Sequence, residues 1–255
     1  MKSKTIEIIY LATGSYKQFL TNFFDSVKFF FPGCPKIITV VTDDISFYKN
    51  IELDKDVIDL RVHKIVQLPY PFPAYFKHIY VKEYCSKEAE YTFYFDADTV
   101  FIPNRRVNFD EIFRLADMGV LLSLHPFYLQ YASTKELLED RNTERDPNYL
   151  TYIEAERYDY VIGSMFGGTT VNVLTLCDKI IYMMSDDLNH FGRRWYIPKY
   201  MDESYLNSIS INNNDLLYIK RQFVMLSTGN KKSDFTFCKQ KHFSNHKEER
   251  IIDNL

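Results

Sequence analysis

The chain has 255 residues, of which 46% are hydrophobic and 25% charged, with a net charge of -3. That balance describes a globular chain with a sizeable core and excludes a general nucleic-acid binder, which would carry a basic face. Four widely spaced cysteines, Cys34, Cys85, Cys177 and Cys238, contain no Cys-x-x-Cys pair. They read as thiols of a reducing compartment, and with no membrane-spanning apolar run and no signal-peptide core a cytoplasmic location is expected.

Taken in order, residues 6–12 predict a first strand, and Thr13-Gly14-Ser15 a turn in which Ser15 caps a helix. Tyr16, Phe19, Leu20, Phe23, Val27 and Phe30 recur at helical spacing until Pro32-Gly33 ends them. Residues 37–41 predict a second strand, ending in Thr42-Asp43-Asp44. This strand–helix–strand opening points to a nucleotide-binding α/β half without a Gly-rich phosphate loop. A third strand is expected over residues 59–66 and a helix over 74–87.

Tyr91-Thr92-Phe93-Tyr94-Phe95-Asp96-Ala97-Asp98-Thr99-Val100-Phe101 then runs a buried, β-prone strand into two carboxylates. In an extended backbone Asp96 and Asp98 would project together, and like charges side by side call for a cation between them. At the end of a buried strand, a hard divalent ion with oxygen ligands resolves the repulsion. Read alone, the motif is more often an Asp-x-Asp capping a turn after a strand.

Further on, Asp110–Asp117 predicts a helix and Met118–Leu124 a strand, followed by His125-Pro126 and a polar segment from Ser133 to Pro147 that reads as a functional loop. Ile162-Gly163-Ser164-Met165-Phe166-Gly167-Gly168 packs three glycines closely, implying close backbone approach. Val171, Leu174, Cys177, Ile181, Met184 and Leu188 mark a long amphipathic helix. Asp202, within Tyr200–Asn207, is placed to cap a short helix, and the chain from Lys231 onward reads as a mobile, basic tail. One compact domain is expected over 1–255, with a nucleotide-binding half to about residue 100, a second half over about 101–230, and the tail over 231–255.

Four features stand in order: Asp96-Ala97-Asp98, Leu124-His125-Pro126-Phe127-Tyr128, Phe166-Gly167-Gly168, and Asp202-Glu203-Ser204 followed by Leu206-Asn207. Together with Tyr16, Val41-Thr42-Asp43, Glu144-Arg145, Phe235-Thr236 and Lys241-His242, this set resembles glycosyltransferase family 6, which includes the ABO blood-group and α1,3-galactosyl enzymes. The resemblance spans about residues 5–247. It implies a GT-A-like α/β fold, a mixed, mostly parallel sheet with helices on both faces. It further implies a retaining, metal-dependent enzyme that moves α-galactose or N-acetylgalactosamine from a UDP-sugar to a glycan hydroxyl, with an α1,3-type linkage. Animal members carry a membrane anchor, so the resemblance is to the bacterial or viral type.

Carried over residue by residue, the resemblance makes Glu203 the catalytic carboxylate, facing the anomeric carbon as nucleophile or as electrostatic stabiliser. Asp96 and Asp98 would hold Mn2+ or Mg2+ against the leaving diphosphate. Leu11, Ala12, Thr13, Tyr16, Asp96, Ala97, Ser164, Asp202, Lys241 and Lys247 would bind the donor, with Gly163 and Ser164 at the donor-selecting pair. His125, Glu144 and Tyr200 would meet the acceptor. The sequence departs from the family at Tyr200-Met201, where Trp-His is usual, and near Pro73, where an arginine is usual and Lys77 follows one turn later. The segment after Asn214 matches poorly. Without the resemblance, Asp202-Glu203 is a helix start with acids favoured by its dipole, and His125 a histidine satisfied in a turn.

Two other classes fit parts of the chain. Phe95-Asp96-Ala97-Asp98-Thr99-Val100 matches the first motif of haloacid-dehalogenase-like phosphatases, with Asp96 as nucleophile. A non-catalytic sugar-binding module is the other.

Overall fold

The computed structural model describes residues 4–46, 51–125, 150–153, 159–190, 197–198, 200–213, 215–226 and 234–240. Its frame is a seven-stranded sheet in the order β3-β2-β1-β4-β7-β6-β8. β1 is Ile6–Ala12, β2 Lys36–Thr42, β3 Val57–Lys64, β4 Tyr91–Asp96, β6 Val120–Leu124, β7 Val161–Thr169 and β8 Tyr218–Arg221. β1 pairs in parallel with both β2 and β4, β2 with β3, and β6 with β8, while β7 runs antiparallel to its neighbours β4 and β6. A three-stranded sheet lies beside it in the order β5-β10-β9, with β5 at Thr99–Phe101, β9 at Val224–Leu226 and β10 at Cys238–Gln240.

Every residue of β1 and β2 is buried, as is Tyr91–Phe95 of β4, because helices cover both faces of the sheet. Alternation sorts the side chains: Ile6, Ile8, Tyr10, Phe93 and Phe95 enter one core with α1 (Leu20–Ser26) and α4 (Phe109–Met118), whereas Ile9, Leu11 and Tyr94 enter the other. The second core holds α3 (Lys77–Tyr84), α5 (Thr170–His190) and α6 (Met201–Asn212). Aromatic rings fill the first core. Phe30 stacks on Phe101 at 4.7 Å and meets Phe93 edge-on at 5.1 Å, each such ring contributing about 1.5–3 kcal/mol by burial.

The structure departs from the sequence reading at several element ends. The helix after β1 is split into a 3-10 segment over Gly14–Phe19, then α1, then a 3-10 turn over Val27–Phe29. Thr13, not Ser15, precedes the first turn, and Ser15 lies inside it. Residues 72–84 form two short helices, α2 (Phe72–Tyr75) and α3, where one was expected. In α5 the buried stripe is Val173, Leu176, Cys177, Ile180 and Met184, and Val171 is 73% exposed. Of the stripe expected from the sequence, Cys177 and Met184 belong to the buried face, which is otherwise set by neighbouring positions. Residues 236–238 are buried and β10 pairs with β5 and β9, so this part of the expected tail belongs to the core. The four cysteines are free thiols, and no helix among the described residues is long and apolar enough to cross a membrane.

Candidate active site

The chain leaves β1 outward to β2 and β3 and returns to place β4 on β1's other side. A parallel sheet opens a crevice where its strand order reverses, at the strands' carboxyl ends. A cleft of about 420 Å³ occupies that place, lined by Leu11, Thr13 and Tyr16 at and beyond the end of β1 and by Asp96 and Ala97 at the end of β4. Five residues expected to bind the donor thus face one cavity. Ala12 does not line it, being fully buried beneath. Gln67–Tyr70, Pro73 and Ala74 also line the cleft; of these the sequence reading singles out only the position near Pro73. Gly14 adopts φ +56° at the cleft's rim, a conformation that glycine takes without penalty. Its N–H donates to Asp43 Oδ1 at 2.9 Å, and Lys17 Nζ donates to Asp43 Oδ2 at 3.1 Å, so the end of β2 fixes the loop after β1.

At the cleft floor β4 ends at Asp96, and Ala97-Asp98 turn the chain into β5. The Asp-x-Asp is therefore a strand end and turn, not the continuous extended run the sequence suggested. The two carboxyls still feel each other. Burial and the neighbouring Asp96 charge push the Asp98 carboxyl up to about 7. Asp98 Oδ1 is shielded from solvent with no hydrogen-bond partner among the described residues. An orphaned acid oxygen beside a second acid is a donor set that fits a hard divalent cation.

Asp96 Oδ1 accepts from Tyr94 Oη at 2.8 Å and from Lys77 Nζ at 3.0 Å. Lys77 is 3% exposed, donates to the Gly163 carbonyl at 2.9 Å and lies 3.0 Å from Asp202 Oδ2. Burial works against its charge, but Asp202 and Asp96 outweigh it and hold the ammonium well above its ordinary range. Gly163 must be glycine because a Cβ there would collide with Asp202 Oδ2. The close approach expected of the glycine-rich strand is thus made by the acid pair, while Gly167 accommodates the Phe93 ring.

Asp202 and Glu203 sit in the first turn of α6, where the helix dipole favours acids. The residue before the helix is Tyr200, so Asp202 is not its cap. Met201 has φ 49°, a strained conformation for a side chain of that size, directly before the two acids. Glu203 Oε1 accepts from the Gly163 N–H at 3.1 Å and Oε2 from Tyr160 Oη at 2.7 Å. Asn207 locks α6 to β7, accepting from the Val161 N–H at 2.9 Å and donating to the carbonyls of Val161 and Glu203.

His125 is buried beside this group: its N–H donates to the Tyr160 carbonyl at 2.9 Å and its ring meets the Tyr160 ring edge-on at 5.8 Å. Ser164 is also buried, its Oγ without a partner among the described residues. Tyr200 is partly exposed at the start of α6. Glu144, Lys241, Lys247 and the segment from Ser133 to Pro147 lie outside the described residues. Tyr160 was missed by sequence reasoning, since a tyrosine beside a glycine-rich strand signals only core.

The profile of glycosyltransferase family 6 matches residues 1–217, a span that includes the cleft, the Asp-x-Asp turn and the Asp202-Glu203 helix start. The chain is also 28% identical over 215 residues to the O-antigen biosynthesis glycosyltransferase WbnI of Escherichia coli, an alignment covering 83% of this chain and 84% of that protein. The match sets aside the phosphatase reading of Asp96 and the reading as a non-catalytic module. With its GT-A fold, the chain belongs to glycosyltransferase family 6 and is a glycosyltransferase, acting on a nucleotide-sugar donor and a glycan acceptor.

Proposed function

We propose that the enzyme transfers galactose or N-acetylgalactosamine from a UDP-sugar to a glycan hydroxyl in α linkage, α1,3 in type, with retention at the anomeric carbon. The observation that carries this reading is the grouping of Glu203, Asp202 and Lys77 around Gly163, joined through Lys77 to Asp96 in the lining of the cleft. The nucleotide would lie in the 420 Å³ cleft against Leu11, Thr13 and Tyr16. Asp202, held by Lys77, would accept the donor sugar's hydroxyls. Glu203, oriented by the Gly163 N–H and Tyr160 Oη, would face the positive charge that builds on the anomeric carbon. His125, on the other side of Tyr160, would meet the acceptor hydroxyl. Asp96 and Asp98 would hold a manganese or magnesium ion, whose Lewis acidity neutralises the leaving diphosphate. The name of the E. coli relative supports a cell-surface glycan as the acceptor class.

The test is transfer from UDP-galactose and UDP-N-acetylgalactosamine to a glycan panel, with Mn2+ or with EDTA, followed by the anomeric coupling of the new sugar in proton NMR. An α-linked product that forms only with the metal is expected. A β-linked product overturns retention, and undiminished transfer in EDTA overturns the metal requirement.

A further inference from the structure

Lys77 is a fully enclosed ammonium, 3% exposed, at the first residue of α3. It donates to Asp96 Oδ1 at 3.0 Å and to the Gly163 carbonyl at 2.9 Å, and it is ion-paired with Asp202 Oδ2 at 3.0 Å. Those three groups come from the end of β4, the start of β7 and the start of α6. One side chain therefore joins the Asp-x-Asp turn to the strand and helix that carry the catalytic acid. The ring of Tyr94 closes the cage, its centroid 5.1 Å from Nζ.

We propose that Lys77 is a positioning residue that serves as the site's resident counter-cation: it holds Asp96 and Asp202 together and sets how tightly the Asp96–Asp98 site binds a divalent ion. The inference rests on the reading of that acid pair as cation ligands. A fixed positive charge on Asp96 Oδ1 occupies one of its two oxygens and repels any cation arriving at the other. Asp202, ion-paired with the same ammonium, offsets part of that effect. Removing Lys77 frees an oxygen of Asp96 and takes away the cation that repels an arriving ion, so cation affinity should rise even as the positioning of Asp202 is lost. A purely structural lysine makes the opposite forecast, because a loosened site binds metal less well.

The experiment is titration of the full chain with Mn2+ alone, read by calorimetry and by the electron spin resonance of free Mn2+. Lys77→Met should bind at least about tenfold tighter than wild type, equivalent to about 1.4 kcal/mol, and Lys77→Arg should stay near wild type. Asp202→Asn, which leaves the ammonium less balanced, should bind more weakly, and it decides the matter if Lys77→Met does not fold. If wild type binds no Mn2+ but Lys77→Met does, the counter-cation assignment stands and the metal requirement falls. If wild type binds Mn2+ and Lys77→Met binds equally or more weakly, or Asp202→Asn binds equally or more tightly, the assignment is overturned while the metal site stands. Absence of binding in wild type and Lys77→Met overturns both.

Discussion

The central sheet buries charge near both ends of its parallel strands, and the two ends satisfy that charge differently. Near the amino end, Lys36 is fully buried and donates to the carbonyls of Phe31 at 3.0 Å and Cys34 at 3.1 Å, with Asp56 at 3.5 Å. Burial lowers its ammonium from the ordinary range, which Asp56 only partly offsets. Glu7, also fully buried, accepts from Thr39 Oγ1, from the N–H and Oγ of Ser86 and from Cys85 Sγ. Burial and the Glu7 charge push the Cys85 thiol up to about 11, which leaves it inert. At the carboxyl end Lys77 is caged by two carboxylates, and Asp98 and Glu203 stand beside them. Charge at the amino end is therefore satisfied almost wholly by neutral groups and serves the fold. Charge at the carboxyl end is left clustered, with Asp96 in the lining of the cleft, and Asp98 Oδ1 and Asp202 buried.

The sharpest way to break this contrast is Glu203→Gln. The change keeps the shape and both hydrogen-bonded positions, but removes the charge that faces the reacting carbon. Turnover and its ratio to the Michaelis constant should fall together by about a hundredfold or more, roughly 3 kcal/mol of lost transition-state stabilisation. UDP-sugar affinity and melting temperature should hardly move. Steady-state kinetics with calorimetric donor binding checks this, and near-normal turnover would return Glu203 to the class of helix-start acids.

The strands buried on both faces were legible because their apolar runs admit few other readings: β1 falls where the sequence placed it, β2 within one residue at each end, and β4 begins at Tyr91 as expected although a turn ends it at Asp96. The acids of the site were legible through their order along the chain. The Lys77 cage was not, because its acceptors lie 19 and 86 residues away and only the sheet brings them together. The place of β10 was hidden for a different reason: three residues carry no readable alternation, and only pairing with β5 and β9 makes them a strand. Tyr160 needed the antiparallel turn-back of β7 to meet a carboxylate 43 residues on.

Lys36→Met tests the amino end. Two buried carbonyls would lose a donor, which costs about 1–3 kcal/mol. For a chain of this size each kcal/mol lowers the melting temperature by roughly 2–4 °C. Turnover per folded molecule should stay within about twofold of wild type, since nothing at the cleft touches Lys36. Calorimetry with kinetics on the same sample separates the two. A large loss of turnover without a loss of stability would mean that the ends of the sheet are coupled, and the division drawn between them would fail.

The smallest expected effect concerns His78, which follows Lys77 on α3. Its ring is fully buried and stacks on Phe166 at 4.8 Å, and neither nitrogen has a partner among the described residues. Burial, with the Lys77 charge beside it, holds the imidazole well below its ordinary range, so it is neutral in the folded protein. The sign follows from linkage. Above about pH 6.5 both folded and unfolded chains carry a neutral ring, and this group adds no pH dependence. Below it the unfolded chain takes up a proton that the folded chain refuses, so stability is lost by up to about 1.4 kcal/mol per pH unit until the folded ring titrates. His78→Phe keeps a flat ring against Phe166 and removes the titration. Stability at pH 7.5 should stay within about 1 kcal/mol of wild type, because a similar shape fills the same space without polar atoms to bury. Other histidines contribute equally to both proteins, so the difference between their denaturation profiles from pH 7.5 to 5.5 isolates this residue. The variant should lose less stability on acidification, and parallel profiles would show that His78 is protonated in the folded state and that the Lys77 charge is not felt there.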